Sequence, residues 1–154
     1  MRKDRVQLSS VLRWLAALGL LLALSAQALA ASADQLKAFA RAQGIDDAAG
    51  FAATIESLER TGGLPPSYLT KGQAQHLGWR PGQDLWAIAP GKSIGGDRFA
   101  NRERTLPTAP GLRYIEADLD YKSGPRNGKR LIVASDGRYW VTVDHYRSFL
   151  PVPR

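Results

Sequence analysis

The chain has 154 residues, with 21 lysines and arginines against 14 acidic side chains and no cysteine. A disulfide-stapled fold is excluded, and the length allows one domain able to close a single core. The net charge of +7 suits a polyanion such as nucleic acid or anionic lipid, yet it serves solubility equally well, so charge alone selects no function.

Residues 2–13 carry Arg2, Lys3, Arg5 and Arg13, and the apolar run Trp14–Leu24 follows. Small residues at Ala28 and Ala30 complete an Ala-x-Ala site. This is the order of a signal peptide over residues 1–30. The run is shorter than the roughly 20 residues that span a bilayer. An uncleaved anchor reaching Ala31 is the other reading, and under both the remainder is exported. Cleaved, it is secreted and leaves no membrane segment.

Residues 31–47 are expected to be an N-terminal extension, helical over residues 32–43 with a stop at Gly44. The domain proper is expected over residues 48–154. Phe51, Ile55 and Leu58 repeat at helical spacing, predicting a helix from Ala48 to Arg60 that Gly62-Gly63 ends. Thr70 with Gln73 has the form of a capping box, so a third helix starts at Lys71. Asp84 caps a short helix that Pro90 stops. The stretch from Ala89 to Glu103 reads as a glycine-rich loop. Its Gly91-Lys92-Ser93 mimics the end of a phosphate loop, but Trp86 stands where that motif needs glycine, which excludes nucleoside-triphosphate binding of this type.

From Ile115 to Tyr121 apolar and acidic residues alternate, predicting a strand with one buried and one acidic face. Leu131–Ala134 and Tyr139–Val143 flank the turn Asp136-Gly137, a hairpin. Helices followed by strands make an α+β domain, its N-terminal helices packed on one antiparallel sheet.

Glu116, Arg126, Arg130 and the pair Asp144-His145 fall in this last segment. A carboxylate, an imidazole and fixed cations are what metal-free phosphodiester cleavage requires: a base, an acid and a clamp for the charged intermediate. The same residues permit other readings. Glu116, Asp118 and Asp120 share a strand face and could ligate a metal in a metal-dependent nuclease, or form a solvated face of a non-catalytic basic RNA-binding module. Lys71, in the first turn of its helix, could meet an anion or only water. His76, Arg104, Arg113 and Arg147 read as surface charges.

The stretches LPPSYLTKGQAQHLGW, APGKSIGGDRFANRE, EADLDYKSGPRNGKR and VDHYRSFL, beginning at Leu64, Ala89, Glu116 and Val143, resemble the secreted bacterial guanyl-specific ribonucleases of the barnase type. The resemblance implies Glu116 as general base and His145 as general acid. It places Arg126, Arg130 and Lys71 around the scissile phosphate. It makes Asn101, Arg102 and Glu103 the guanine-recognition loop, with Phe99 and Tyr146 as aromatic neighbours, and Asp118 a buried holder of the arginines. It implies single-stranded RNA as substrate, no cofactor or metal, and a small acidic inhibitor of the barstar type as possible partner; the sequence leaves the oligomeric state open, with a monomer as the default. Pro125, Ala100 and Leu112 depart from the family's usual aromatic, serine and basic residues, and none falls on an expected acid, base or cation.

Overall fold

Helix α2, Ala48–Thr61, sets the floor of the domain in the computed structural model. The described residues are 32–153, together with 14, 15, 17, 18, 20 and 21. The expected signal peptide therefore lies outside the described residues except at those six helical positions. No helix among the described residues is long and apolar enough to cross a membrane. Residues 35–154 form one compact unit.

Asp47 caps α2 by accepting from the Gly50 N–H at 2.8 Å, and Gly62, at φ 73°, ends it in the left-handed conformation that favours glycine. Phe51, Ala52, Ile55 and Leu58 are buried along one stripe. The preceding helix, α1, spans residues 32–42 and stops at Gly44. The extension is part of the core: Leu36, Ala40 and Ile45 are buried with Phe51 and Ile55 against Ala117, Leu131 and Val141 of the sheet. Phe39 packs on Phe51 with ring centroids 6.0 Å apart. Lys129 closes the junction, donating to Gly44 O and to the Asp46 and Asp120 carboxylates.

Helix α3, Lys71–His76, begins with both arms of the Thr70–Gln73 capping box formed, and a 3-10 turn, Leu85–Ala87, follows Asp84 as its cap. The sheet runs β1 (Tyr68–Leu69), β2 (Ser93–Phe99), β3 (Tyr114–Asp118), β4 (Arg130–Ala134), β5 (Tyr139–Thr142) and β6 (Leu150–Pro151), in that spatial order. Only the β1–β2 pair is parallel; the other pairings are antiparallel. The α+β architecture is as expected.

Two local expectations change. The glycine-rich stretch is not all loop, because Ser93–Phe99 is a strand. Its glycines hide the pattern for a physical reason. A Cβ at Gly95 would lie 2.6 Å from Tyr68 Cδ1, and Gly96, at φ 97°, sits in a bulge. The strand expected over Ile115–Tyr121 ends at Asp118, and Asp120, at φ 55°, turns the chain. Its acidic face is buried, Glu116 being 6% and Asp118 2% exposed, which leaves out the solvated alternative and agrees with the burial of Asp118 that the resemblance implies. One face of the sheet is covered by α1 and α2, and the other carries an aromatic cluster of Tyr114, Trp140, Phe99, Tyr146 and Phe149.

If the extension belongs to the core, Ile45→Ala lowers unfolding free energy by about 2–4 kcal/mol in urea denaturation, the range for emptying a buried aliphatic site. A variant as stable as the parent would detach residues 31–47 from the fold.

Candidate active site

β3 and β4 bring the charged groups together because their register is fixed. Asp118 lies opposite Arg130, and Arg130 opposite Thr142. Asp118 is the anchor. Its carboxylate accepts two hydrogen bonds from Arg126, from Nε at 2.7 Å and Nη2 at 2.6 Å. Arg130 Nε lies 3.0 Å from Asp118 Oδ1, off the hydrogen-bonding direction, so their attraction is ionic. Arg130 Nη1 donates to Lys129 O at 2.7 Å and to Asn127 Oδ1 at 3.3 Å. Burial works against the charge on Arg126, and the Asp118 carboxylate overrides it, raising its pKa above the usual arginine value.

Two residues along the same strand face, Glu116 is gripped at both oxygens. Oε1 accepts from Lys71 Nζ at 2.9 Å and Oε2 from the Tyr146 hydroxyl at 2.7 Å. Burial alone would raise its pKa. The Tyr146 hydroxyl and the Lys71 ammonium outweigh it, Arg126 adds to them, and the net direction is down. Tyr146 moves the opposite way, pushed up to about 12 by burial and by the Glu116 carboxylate, so it stays a neutral donor. Lys71 owes its place to the α3 cap and to Asp97, whose carboxylate accepts the Lys71 backbone N–H at 2.8 Å.

Tyr146 connects the parts. Its ring stacks on Phe99 at 5.6 Å and 19°, lies under the Arg130 guanidinium at 5.9 Å, and neighbours the His145 imidazole at 5.3 Å. His145 and Tyr146 have φ of 60° and 69°, unusual for residues bearing a Cβ. Asp144 holds this turn. It accepts from the Ser148 hydroxyl and from the backbone N–H groups of Arg147 and Ser148. With the Thr142 hydroxyl, these bonds lower its pKa to about 2. Gly128 lets the turn approach closely: its carbonyl accepts the His145 N–H, and an added Cβ would lie 3.2 Å from His145 Cβ.

Beside this cluster lies a cavity of about 280 Å³ walled by Phe99, Asn101, Arg102, Glu103, Tyr146 and Phe149, with Glu116 at one side. Asn101, buried at φ 44°, shapes the loop. Its side chain donates to Leu106 O and accepts from Leu106 N–H. All ten residues singled out as candidates are thus joined by contacts or share this cavity, while His76 is exposed at the end of α3. Asp97, Asn127 and Gly128 were not foreseen as parts of the site, and Asp144 was noted only as the neighbour of His145. Each acts on another residue's position, a role without a sequence pattern of its own.

Comparison with known proteins is consistent in direction. A family model described as ribonuclease matches residues 52–153. The chain is 48% identical over 100 residues to a ribonuclease of Heyndrickxia coagulans, covering 64% of this chain and 92% of that one. The same identity and length relate it to the ribonuclease of Bacillus intermedius, of which it covers 62%. A guanyl-specific ribonuclease St of Saccharopolyspora erythraea is 40% identical over 55 residues, 35% of this chain and 54% of that one.

The chain belongs to the barnase-type microbial ribonucleases.

In this ribonuclease the carboxylates of Glu116, Asp118 and Asp120 do not converge on one point. Glu116 pairs with Lys71, Asp118 with two arginines, and Asp120 with Lys129. Among the described residues no group of three His, Cys, Asp or Glu is placed to hold a metal. If Asp118 is the anchor, Asp118→Ala leaves the buried Arg130 guanidinium and the half-buried Arg126 guanidinium without their shared carboxylate, and a loss of about 3–5 kcal/mol is expected in chemical denaturation. Stability within about 1 kcal/mol of the parent would show that the arginines hold themselves.

Proposed function

We propose that this ribonuclease is a secreted enzyme that cleaves single-stranded RNA after guanosine by metal-free transphosphorylation. The observation that carries this reading is Glu116. It is a buried carboxylate with one oxygen on an ammonium and the other on a tyrosine hydroxyl, at the wall of a base-sized aromatic cavity.

Glu116 takes the proton of the ribose 2′-OH. The 2′-oxygen attacks phosphorus, the bond from phosphorus to the 5′-oxygen breaks, and His145 gives that oxygen its proton. Lys71, Arg126 and Arg130 stabilise the extra negative charge on the phosphorane. The 2′,3′-cyclic phosphate is then opened by water with the roles of Glu116 and His145 exchanged, giving a 3′-phosphate. The need for a 2′-OH makes RNA the substrate, and the need for a free base edge favours single strands.

Guanine preference follows from the cavity. Phe99 and Tyr146 offer stacking surface, Glu103 accepts from N1–H and the exocyclic amine, and backbone groups of Asn101 and Arg102 serve O6. The name of the S. erythraea relative is in line with it. Secretion rests on the signal-peptide pattern of residues 1–30. The basic surface suits an acidic protein inhibitor of the barstar type, and a monomer suffices, since every proposed group comes from one chain. No observation favours the metal-dependent alternative, because each carboxylate it needs is already occupied by a cation of the chain.

Digestion of oligoribonucleotides differing at one base, in the presence of chelator, tests the reading. A product ending in guanosine 2′,3′-cyclic phosphate is expected, with no loss to chelator, and a loss of about 100-fold or more in His145→Ala. Chelator-abolished activity, or cleavage indifferent to the base, would sink it.

The pH profile supplies a second check. Glu116 has a lowered pKa, so the acid limb of kcat/KM lies below the ordinary glutamate range. Tyr146→Phe removes a donor to the carboxylate, raises the Glu116 pKa, and moves the acid limb to higher pH. An unmoved limb would mean that Glu116 is not the group that must be deprotonated.

A further inference from the structure

Behind the base-recognition loop lies a second concavity, of about 360 Å³, with no part in the chemistry described above. It shares Phe99, Ala100, Asn101 and Arg102 with the base cavity. It contains none of Lys71, Glu116, Arg126, Arg130, His145 or Tyr146. Four guanidinium side chains line it, those of Arg98, Arg102, Arg104 and Arg113, and no carboxylate does. None of the four makes an ion pair among the described residues.

These cations are brought together by construction. Arg98 stands opposite Ile115 in the β2–β3 ladder, and Arg113 precedes Ile115 by two, so both share its face of the sheet. The Arg113 backbone is fixed by Ser135, which accepts its N–H at 3.1 Å and donates to its carbonyl at 2.8 Å. Arg104 is the most telling. It sits at φ 52°, where a residue with a Cβ is disfavoured and glycine would be free. The chain accepts that strain and gains a cation in the concavity. Exposed like charges gathered without counter-charges repel one another, and a polyanion relieves them.

We propose that this concavity binds backbone phosphates of the RNA chain on the 5′ side of the cleaved guanosine. The inference rests on the proposed function, in which the 3′-phosphate of that guanosine sits at Lys71, Arg126 and Arg130. The strand leaving the nucleoside by its 5′-oxygen then heads away from that cluster, and the far side of the loop is where uncompensated positive charge continues.

The test compares three substrates: the dinucleotide GpU, UUUUGpU extended on the 5′ side, and GpUUUUU extended on the 3′ side. The variant combines Arg98→Gln, Arg104→Gly and Arg113→Gln in the full chain. Its KM for the 5′-extended substrate is expected to rise about tenfold at low salt with kcat unchanged. The salt dependence of log KM becomes shallower by about 2, from three lost phosphate contacts. GpU and the 3′-extended substrate are expected to be cut as by the parent. Arg104→Gly alone is expected to raise the melting temperature by about 2–4 °C, so that weaker binding cannot be ascribed to unfolding. An unchanged KM for UUUUGpU, an equal rise for GpUUUUU, or a melting temperature lowered by Arg104→Gly would overturn the inference. Failure of the parent to cut GpU would instead overturn the proposed function, and this inference with it.

Discussion

A single buried carboxylate, Asp118, fixes the geometry on which the site depends. Two neighbouring guanidiniums, the buried one of Arg130 and the half-buried one of Arg126, repel each other and lose hydration. Asp118 makes their proximity tenable, giving both of its oxygens to Arg126 while facing Arg130 across the ladder. The β3–β4 register carries this arrangement, since a slip of one residue would turn Arg130 into the helix-covered core and Asp118 away from it. The pairing that builds the sheet is therefore also the pairing that aims the cations.

From that anchor the electrostatics of Glu116 follow. A carboxylate at this depth would be a strong base by burial alone, but the surrounding cations and the Tyr146 hydroxyl pull its pKa down and keep it ionised. Glu116 is thus ionised but weak as a base. On the proposed mechanism an entering phosphodiester would compensate Lys71 and the arginines with its own charge and return basicity to Glu116, so the cations proposed to hold the phosphorane are coupled to the strength of the base. Tyr146, held neutral as a donor, links the aromatic cavity to the charged cluster through its contacts with Phe99, Arg130 and His145.

Much of this was legible in the sequence where a local rule acts. The Thr70–Gln73 capping box, the Asp136-Gly137 turn and the helical spacing of Phe51, Ile55 and Leu58 each depend on neighbours a few residues away, and each matches the structure. What stayed hidden depends on distant partners. β2 could not be read because Gly95 and Gly96 answer to Tyr68 and a bulge rather than to strand propensity. The alternation of β3 alone left its acidic face open between solvent, a metal and catalysis, because nothing in it announces the arginines and the tyrosine that surround it. Asp97 acts through the backbone it holds and Asp144 through backbone and hydroxyl donors of its own turn, and the core role of Leu36, Ala40 and Ile45 emerges only once they are seen packed with α2. The likeness to known ribonucleases located the charged residues, while the physical reasons for their positions came from the fold.

The central claim is that one carboxylate and one imidazole exchange protons with RNA across a phosphate held by Lys71, Arg126 and Arg130. A crystal structure with the inert analogue 2′-deoxyguanylyl-3′,5′-uridine tests it most directly. The account predicts guanine between Phe99 and Glu103, the phosphate against the three cations, the 2′-carbon facing Glu116 and the 5′-oxygen facing His145. A phosphate bound elsewhere, or Glu116 and His145 on the same side of it, would contradict the account.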